Sequence, residues 1–426
     1  MKPSLRGGYE VSYEQSLDCV HCGLCLPHCP TYESSTLESR SPRGRVLIMR
    51  ALAEERLSPD DAGVAEALDS CLACRACETA CPSGVQYGSM IEAARAQDGA
   101  AGRSSRFLRW SLDNLLARRR IHRSMMAIMT WAQRTGLLRL ATWLPIPGSL
   151  KDGIRLLPRL PSRDERKPIP PGIYEPWGDQ VAEVGLFTGC MMETIFGRVN
   201  RALLYLLRLH GCRVHVPASQ VCCGALQLHE GFLPEFQRQT LRNIEAFPAH
   251  LDAILVDSAG CGSAMKEAHH HVHRAKDFAG KVKDASEFLV GLGLRPTTCA
   301  VPARASYDDP CHLCHGQGIR AEPREILGSI EGLDLVEMAH PEGCCGSAGI
   351  YNLLEPGYAQ DALDRKLEEF AGTQATLLIT ANPGCHLQWQ KGFRDRGQDV
   401  AVQHVVEVLA EAYGYRPGSE IARNLG

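Results

Sequence analysis

The chain has 426 residues, which is enough for about three domains with a sizeable buried core. Apolar residues make up 44% of it and charged residues 22%, values that exclude a disordered chain. The formal net charge of −3 gives no indication of nucleic-acid binding. The 19 cysteines are too sparse for a small secreted disulfide scaffold, so thiols kept as metal ligands in a reducing compartment explain them best.

Nothing in the sequence predicts secretion or a membrane span. The first residues lack the apolar segment of a secretory signal, and no run reaches the roughly 18 apolar residues that a transmembrane helix needs. We therefore expect a cytoplasmic protein, or one bound peripherally to the inner face of the cell membrane.

Residues 1–100 hold eight of the cysteines, and helices are predicted between them. Ser41 followed by Pro42 is a helix start signal, with serine as N-cap and proline in the first turn. Ser58 and Pro59, followed by two aspartates, predict another helix start in the same way. Helices therefore separate two cysteine-rich loops.

Both loops have the spacing Cys-x2-Cys-x2-Cys-x3-Cys-Pro, which is typical of bacterial ferredoxins. In this spacing three thiolates wrap one [4Fe–4S] cluster, and the fourth crosses to the neighbouring cluster. The first cluster is assigned to Cys19, Cys22, Cys25 and Cys81. The second cluster is assigned to Cys71, Cys74, Cys77 and Cys29. Zinc and structural disulfides are the alternatives, but zinc sites use two pairs of ligands, and this run occurs twice with identical spacing.

Residues 101–180 contain no cysteine and are predicted to be a basic helical linker. Between 101 and 167 there are 15 lysines and arginines but only four aspartates and glutamates, and the linker includes Trp110, Trp131 and Trp143. Arginines mixed with tryptophans suit an anionic membrane surface, and they suit an acidic partner subunit equally well. Both interpretations stay open.

Residues 181–298 and 299–426 look like two copies of one unit. Three landmarks of the first copy recur in the second: Cys190 corresponds to Cys311, Cys222-Cys223-Gly224 to Cys344-Cys345-Gly346, and Cys261 to Cys385. Their offsets are 121, 122 and 124 residues. Such nearly constant offsets indicate an internal repeat.

Each copy is predicted to be a small α/β unit with a parallel sheet. In the first copy EVGLF, RVHV and AILV are short buried strands, and RVNRALLYLLRLH has the apolar spacing of a helix. The cysteines come just after strand ends, which is where open α/β sheets bind ligands.

The two copies supply eight candidate ligands for a further iron–sulfur cluster or a zinc ion, and an empty site is the remaining alternative. These are Cys190, Cys222, Cys223, Cys261, Cys311, Cys344, Cys345 and Cys385. Cys212, Cys299 and Cys314 fall outside the repeated register and are expected to be ordinary buried cysteines. The histidine tract at 269–273 is expected to be a solvated face rather than a metal site.

No G-x-G-x-x-G fingerprint, P-loop or H-E-x-x-H motif occurs, and no catalytic residue is assigned. His229 beside Glu230 is expected to be structural. The chain has no evident means of oxidising an organic substrate, because hydride chemistry needs a flavin or a nicotinamide. We therefore expect FAD on flavoprotein partner subunits only.

The whole pattern resembles a known family. Two ferredoxin runs followed by two Cys-Cys-Gly units are similar to the cysteine-rich-domain proteins related to heterodisulfide reductase. More closely, VHCGLCLPHCPTY, SPRGR, CLACRACETACPSGVQY, CCGSAGIYN and ITANPGC are similar to the iron–sulfur subunits of bacterial glycolate oxidase. The resemblance covers nearly the whole chain except the basic linker. It implies flavin-linked partner subunits that oxidise glycolate to glyoxylate, while this chain passes the electrons towards the membrane quinone pool.

The chain departs from the heterodisulfide reductase pattern, in which each repeat ends in Cys-x2-Cys. Ser258 and Asn382 stand where the first cysteine of that pair would be. Four cysteines per repeat remain, which argues against a disulfide reductase. An electron carrier for a glycerol-3-phosphate or lactate dehydrogenase is the other alternative. The predicted fold is a multi-domain α/β protein with an α-helical ferredoxin domain, holding two cubane clusters, and two cysteine-rich α/β units.

Overall fold

The computed structural model describes residues 13–97, 106–137, 140 and 160–416. Within these ranges a helical N-terminal domain precedes two largely parallel sheets, which is the multi-domain α/β arrangement that the sequence predicts. Trp143 and the linker residues 101–105, 138–139 and 141–159 lie outside the described residues.

Short helices form the N-terminal domain. They are α1 (Tyr13–Leu17), α2 (Pro30–Ser35), α3 (Pro42–Ala53), α4 (Ala62–Asp69), α5 (Ala76–Thr79) and α6 (Tyr87–Gln97). The predicted start at Ser41 is confirmed, because its Oγ accepts a hydrogen bond from the backbone N of Gly44 at 3.0 Å. Helix α4 begins later than predicted. Ser58 donates its backbone N–H to Asp61 at 3.0 Å in a turn, and Asp61 takes the N-cap position.

The basic linker is helical between residues 106 and 134, whereas its described residues 160–180 form turns, loops and one short strand. Its elements are α7 (Arg106–Ser111), a π-helical turn (Leu112–Leu116) and α8 (Arg119–Arg134). Helix α8 buries His122, Met126 and Thr130 at helical spacing and exposes Ile128 and Trp131. It is therefore an amphipathic helix packed on the domain that follows it, with apolar side chains also on its outer face.

The first sheet has five strands in the order β1-β3-β2-β4-β5. They are β1 (Gly172–Tyr174), β2 (Ala182–Phe187), β3 (Cys212–Val216), β4 (Ala253–Val256) and β5 (Val282–Asp284). All pairs are parallel except β1 with β3. The predicted strands EVGLF, RVHV and AILV lie in β2, β3 and β4. Strand β1 precedes residue 181, so this sheet also uses residues that the prediction assigns to the linker.

Seven helices accompany the first sheet among the described residues. They are α9 (Met191–Thr194), α10 (Gly197–Leu209), α11 (Ala225–His229), α12 (Leu233–Ala246), α13 (Ala259–Lys266), α14 (Lys276–Lys281) and α15 (Ala285–Leu292). Helix α10 is the amphipathic segment predicted from RVNRALLYLLRLH. It ends before Gly211, whose positive φ of 84° lets the chain reverse into β3.

The second sheet repeats the parallel part of the first. Its strands are β6 (Ala303–Tyr307), β7 (Leu333–Leu335), β8 (Leu377–Thr380) and β9 (Ala401–His404). Its helices are α16 (Cys311–Cys314), α17 (Ala321–Gly328), α18 (Tyr351–Leu354), α19 (Pro356–Thr373), α20 (Pro383–Asp395) and α21 (Val405–Ala412). The parallel order β7-β6-β8-β9 matches β3-β2-β4-β5 strand for strand. The internal repeat in the sequence is thus also a repeat of topology.

One hydrophobic core runs through both repeats. It includes Val184 of β2 and Tyr307 of β6, both fully buried. Helices α10 and α21 pack together, and the Tyr205 hydroxyl donates to the backbone carbonyl of Tyr413 at 2.7 Å. This shared core holds the loops at the strand ends of both sheets in a fixed relation.

Candidate metal centres

The two ferredoxin-type loops have the same backbone shape. Left-handed residues occur at matching places, His21 (φ 56°) and Gly23 (φ 85°) in the first loop and Ala73 (φ 52°) and Arg75 (φ 65°) in the second. A residue other than glycine adopts this region at a cost of about 1–3 kcal/mol, and does so only where its surroundings fix it. Both loops are therefore built to one plan, in which the backbone turns between successive cysteines.

The second loop lines a cavity with four buried thiols. Cys29, Cys71, Cys74 and Cys77 all border this cavity of about 300 Å³. Three of them come from the second run and one from the first, which is the combination that crossed ligation requires. Four thiols around one cavity fit a [4Fe–4S] cluster, which takes four cysteine ligands. The ligand assignment itself stays a prediction.

Arg45, within the SPRGR segment, forms part of the same cavity wall and is only 1% exposed. Its guanidinium donates to the carbonyl of Ala67 at 2.7 Å, to Thr31 Oγ1 at 2.9 Å and to Ser70 Oγ at 3.0 Å. Its Nη1 lies 3.8 Å from Cys29 Sγ. A buried cation is costly without anionic or polar partners, and here the partners include a candidate cluster ligand.

Cys71 differs electrostatically from the other two cysteines of its run. Burial raises the pKa of Cys77 well above its ordinary value, and a hydrogen bond with Cys344 together with burial does the same for Cys74. Burial opposes ionisation of Cys71 as well, but the charges of Arg45 and Arg95 and other hydrogen bonds hold its pKa below the ordinary value. Cys71 therefore reaches the metal-binding thiolate form most easily of the three.

The first loop is more exposed than the second. Cys19 and Cys25 are half-buried, Cys22 is exposed, and Cys81 of the second run is half-buried. Cys19, Cys25 and Cys81 pack against one apolar cluster, which also includes Cys71 and Cys77 of the second loop. Burial raises the pKa of Cys25. The first candidate site is thus the one nearer the protein surface.

In each repeat a glycine allows two adjacent cysteines to fit. Gly224 and Gly346 have φ values of 83° and 80°, which favour glycine. A Cβ on Gly346 would lie 2.2 Å from the carbonyl oxygen of Ala359, and one on Gly224 would lie 2.9 Å from the ring of Phe236. No other residue fits at either position without displacing backbone or core, so the Cys-Cys-Gly triplet is a unit of backbone geometry as well as of ligands.

The four cysteines of the first repeat come together. The sulfurs of Cys190 and Cys222 are 3.5 Å apart, and those of Cys223 and Cys261 are 3.2 Å apart. Hydrogen bonds with Cys190 and Cys223 hold the pKa of Cys222 well below its ordinary value, while the pKa values of Cys190 and Cys223 are raised well above theirs. A tetrahedral zinc site places sulfurs roughly 3.8 Å apart, so the sulfurs of each pair are close enough to share a metal ion.

Helix α8 covers this first quartet. Glu193, three residues after Cys190 and 2% exposed, accepts hydrogen bonds from Arg119 and Arg123. His122 lies 3.2 Å from Thr194 Oγ1, and burial lowers its pKa although the nearby Cys222 acts in the opposite direction. Two arginines of the basic linker therefore pair within this chain rather than with a membrane or a partner.

The second quartet lies directly against the ferredoxin domain. Cys311 packs beside Cys344, and Cys345 shares an apolar cluster with Cys385. Cys344 also shares its apolar cluster with Cys74 of the second ferredoxin loop, and each of these two thiols affects the pKa of the other. The thiols of the N-terminal domain and of the second repeat are thus in direct contact.

Polar contacts fasten the second repeat around that loop. His312 Nε2 is 3.0 Å from the carbonyl oxygen of Ala73, and the Tyr351 hydroxyl donates to the carbonyl of Ser70 at 2.8 Å. Both partner carbonyls flank Cys71 in the chain. The second repeat therefore holds the loop on both sides of a candidate ligand.

Ser258 and Asn382, which replace the fifth cysteines, face each other across the two repeats. Ser258 Oγ donates to Asn382 Oδ1 at 3.5 Å, and the backbone N of Gly260 donates to the same oxygen at 3.2 Å. Asn382 Nδ2 in turn donates to Cys385 Sγ at 3.5 Å. These positions are used to join the repeats by hydrogen bonds.

The cysteines outside the repeated register differ among themselves. Cys212 and Cys314 are buried, and burial raises the pKa of each to about 12. Cys299 is exposed, contrary to the expectation of a buried cysteine. In the histidine tract His269 and His270 are exposed, whereas His271 is half-buried and lies 3.3 Å from Glu92 Oε2.

Sequence reasoning missed a buried ionic network where the N-terminal domain meets both repeats. Burial would raise the pKa of Glu92, but His229 and His271 lower it to about 2. His229 thus pairs with Glu92 at 3.6 Å, a residue 137 positions earlier in the chain. Arg75 pairs with Glu267 at 2.6 Å. These two residues border a second cavity, of about 280 Å³, which Glu92 and His229 also line. No local motif signals these pairs.

The described residues contain no helix long and apolar enough to span a bilayer. Comparison with protein families matches residues 15–85 to the 4Fe-4S dicluster domain, and residues 184–266 and 305–390 to the cysteine-rich domain. These matches coincide with the two ferredoxin-type loops and with the two thiol quartets. The fold and the sites thus define an iron–sulfur protein with a dicluster domain and two cysteine-rich domains.

Similar proteins place the chain more closely. The probable glycolate oxidase iron–sulfur subunit of Bacillus subtilis is 38% identical, with 94% of each chain covered. The glycolate oxidase iron–sulfur subunit of Escherichia coli is 28% identical over 92% of this chain and 93% of that protein. One subunit of the fumarate reductase (CoM/CoB) of Methanothermobacter marburgensis is 30% identical over 93% of this chain and 72% of that protein. The chain belongs to the family of glycolate oxidase iron–sulfur subunits.

Proposed function

We propose that this chain is the iron–sulfur electron-transfer subunit of a flavin-dependent glycolate oxidase complex. It takes electrons from flavin-bearing partner subunits, which oxidise glycolate to glyoxylate, and passes them towards the membrane quinone pool. The observation that carries this proposal is the contact between Cys74 and Cys344, which joins the ferredoxin-type thiols to those of the second repeat. Adjacent metal-binding thiol sites within one chain suit the relay of single electrons.

Two [4Fe–4S] clusters are proposed for the N-terminal domain, one held by Cys19, Cys22, Cys25 and Cys81 and the other by Cys71, Cys74, Cys77 and Cys29. When bound, these clusters supply one-electron transfer. Arg45 and the hydrogen bond from the Tyr87 hydroxyl to Cys71 Sγ, at 3.4 Å, stabilise negative charge at the second set. The two quartets of the repeats are proposed to hold a further iron–sulfur cluster or zinc, for which four thiols are suitable donors.

The hydrogen bond between Ser258 and Asn382 favours an electron carrier over a disulfide reductase. A thiol at either position would be an additional ligand or a redox group. Ser258 and Asn382 provide neither an additional ligand nor a redox group here, because their side chains form hydrogen bonds that join the two repeats.

The exposed face of the basic linker supports attachment to a membrane surface or to a partner subunit. Phe107 and Trp110 stack at 6.2 Å on the surface, and Ile128 and Trp131 are more than half exposed on the helix that also exposes Arg120. Aromatic, aliphatic and cationic groups together suit an anionic membrane surface or an acidic subunit. We propose a cytoplasmic location, peripheral on the inner face of the cell membrane.

The decisive experiment is co-purification of the chain with its partners, followed by dye-linked assays. Glycolate, D-lactate and glycerol-3-phosphate should be compared as substrates, and FAD should be found on the partner subunits only. Glycolate-dependent reduction of a dye and then of a quinone is the expected result. Activity with D-lactate or glycerol-3-phosphate alone would assign the chain to a sibling dehydrogenase instead.

A further inference from the structure

A second set of metal-binding side chains lies away from the cysteines, on the first sheet. Glu183 Oε1 is 2.6 Å from His215 Nε2 and 3.6 Å from His250 Nε2. The three ligand atoms all lie within 4.8 Å of one another. Both histidines direct the same ring nitrogen at one carboxylate oxygen, so three donors converge on one point.

The sheet explains why Glu183 and His215 meet. Strands β2 and β3 are parallel neighbours, with Glu183 opposite Arg213 and Gly185 opposite His215. Side chains alternate between the faces of a strand, so positions 183 and 185 and their partners 213 and 215 share one face. Pairing of the strands alone thus brings a carboxylate and an imidazole together.

Gly185 explains how His250 reaches them. A Cβ on Gly185 would lie 2.6 Å from the ring of Phe247, so only glycine lets residues 247–252 cross this face closely. Asp252 fastens the crossing, since its Oδ2 accepts a hydrogen bond from the backbone N of Glu183 at 2.7 Å. The loop therefore carries His250 to the other two side chains.

We propose that Glu183, His215 and His250 form a zinc-binding site, completed by water. Two histidines and one glutamate are a known donor set for zinc with an open position. Zinc–ligand bonds of about 2.0–2.2 Å place tetrahedral ligand atoms roughly 3.3–3.5 Å apart. This spacing lies between the 2.6 Å and 3.6 Å that separate Glu183 Oε1 from the two histidine nitrogens. Imidazole donors favour zinc over magnesium or calcium, which prefer oxygen ligands.

Neighbouring charges are compatible with a cation here. Arg213 lies 3.4 Å from Glu183 Oε1 and also pairs with Glu175 at 3.2 Å. When a metal ion binds Glu183, Arg213 can therefore keep Glu175 as its ion-pair partner. The nearby arginine reduces the affinity for zinc without occupying the site exclusively.

The site is separate from the electron-transfer thiols. Glu183 is the second residue of β2, whereas Cys190 follows the carboxyl end of that strand, roughly 20 Å away along an extended chain. A zinc ion bound here would clamp β2, β3 and the loop before β4. Its expected effect is on stability, because a ligand that binds only the folded state stabilises it.

Zinc K-edge X-ray absorption on the full-length, cluster-loaded protein tests the proposal. Zinc bound by nitrogen and oxygen at about 2.0 Å is distinguished from zinc bound by sulfur at about 2.3 Å, so metal in the cysteine repeats does not interfere. The wild type should bind one zinc ion with nitrogen and oxygen ligands. Glu183→Gln and His250→Asn should each lose that ion, and His273→Asn, which changes another exposed histidine, should keep it.

Thermal unfolding supplies the second measurement. His250 is the exposed member of the set, so His250→Asn leaves the core intact. Added zinc should raise the melting temperature of the wild type and of His273→Asn more than that of His250→Asn. A wild type without nitrogen- and oxygen-bound zinc, or an equal response in His250→Asn, would overturn the proposal and leave only a histidine–carboxylate hydrogen bond at this place.

Discussion

Cys29 is the residue at which the predicted crossed ligation can be tested. It belongs to the first run but borders the cavity of Cys71, Cys74 and Cys77. Cys29→Ala should therefore remove the fourth ligand of the second cluster and expose one iron to solvent. Paramagnetic resonance of the reduced variant, with both clusters resolved, should show loss of the second-loop signal and retention of the first.

The matched control for this change is Cys212→Ala. Cys212 is buried in β3, outside both thiol quartets, and its substitution should leave both signals in place. An intact second-loop cluster together with a lost first-loop cluster in Cys29→Ala would show that each run binds its own cluster without crossing.

Arg45 should raise the reduction potential of the second cluster. Reduction adds negative charge, and a buried guanidinium 3.8 Å from Cys29 Sγ stabilises it. At an effective dielectric constant of about 20, loss of that charge at roughly 6–10 Å costs about 1.7–2.8 kcal/mol, or roughly 70–120 mV for one electron. Redox titration of Arg45→Gln should show this decrease, whereas Arg45→Lys should show a smaller one.

Arg43 provides the comparison for Arg45 because it lies two residues away but on the surface. It pairs with Glu38 at 2.7 Å in solvent, where ion pairs are screened. Arg43→Gln should leave the potential of the second cluster almost unchanged. Equal shifts in Arg43→Gln and Arg45→Gln would mean that burial beside the thiols does not set the potential.

At the scale of elements, the two loops of matching shape predict the metal content of the chain. Each loop should carry four irons, so anaerobically purified full-length protein should contain about eight. Iron in excess of eight would indicate that the repeats also hold clusters, while zinc bound by sulfur at about 2.3 Å would indicate zinc there. Iron below four per chain, measured with acid-labile sulfide, would contradict two cubane sites.

Helix α8 should depend on Glu193 for its docking. Replacing this buried carboxylate leaves Arg119, itself mostly buried, without its partner, a change that costs roughly 3 kcal/mol. If the helix detaches locally, trypsin should cleave near Arg118 about 100-fold faster in Glu193→Gln than in the wild type, since 1.4 kcal/mol corresponds to a factor of ten. Limited proteolysis followed by mass spectrometry measures the site and the rate.

Asp113→Asn is the control for that experiment. Asp113 pairs with Arg238 at 2.6 Å, but both side chains are partly exposed, and such pairs contribute about 1 kcal/mol or less. Its cleavage rate should stay within several-fold of the wild type. Equal protection of α8 in Glu193→Gln and the wild type would show that apolar packing of Met126 alone fixes the helix.

The sequence predicts the elements well wherever local chemistry determines them. The spacing of two cysteine runs and the serine–proline start at Ser41 depend on neighbours in the chain. Strands β2, β3 and β4 follow from short β-branched runs, and the repeated landmarks anticipate the matching strand order of the second sheet. In each case a few adjacent residues carry the necessary information.

Contacts between distant segments were not predictable in this way. The packing of Cys74 with Cys344 and the pairing of Glu92 with His271 depend on how whole domains pack. The same holds for the pairing of Arg119 with Glu193. Through this pair, a basic segment whose composition suggests an exposed surface becomes part of a contact between domains. Spacing in one sequence carries no signal for such long-range pairs.

At the scale of the whole molecule, the ferredoxin domain and the second repeat bring thiols together. The chain lacks a dinucleotide fingerprint, and its candidate cofactors are metal centres that exchange single electrons. Oxidation of a 2-hydroxy acid removes two electrons and needs a group that takes both, which we place on a flavin subunit. Purified without partners, the cluster-loaded chain should therefore show no glycolate-dependent dye reduction.

The matched measurement adds the flavin subunits back to the same preparation. Dye reduction should then appear with glycolate, and in the Cys29→Ala complex the flavin should be reduced by substrate while electron delivery to quinone fails. This separates the two half-reactions, because loss of a cluster ligand affects only the steps after the flavin. Glycolate turnover by the isolated, flavin-free chain would contradict the electron-carrier role, since substrate oxidation would then reside in this subunit.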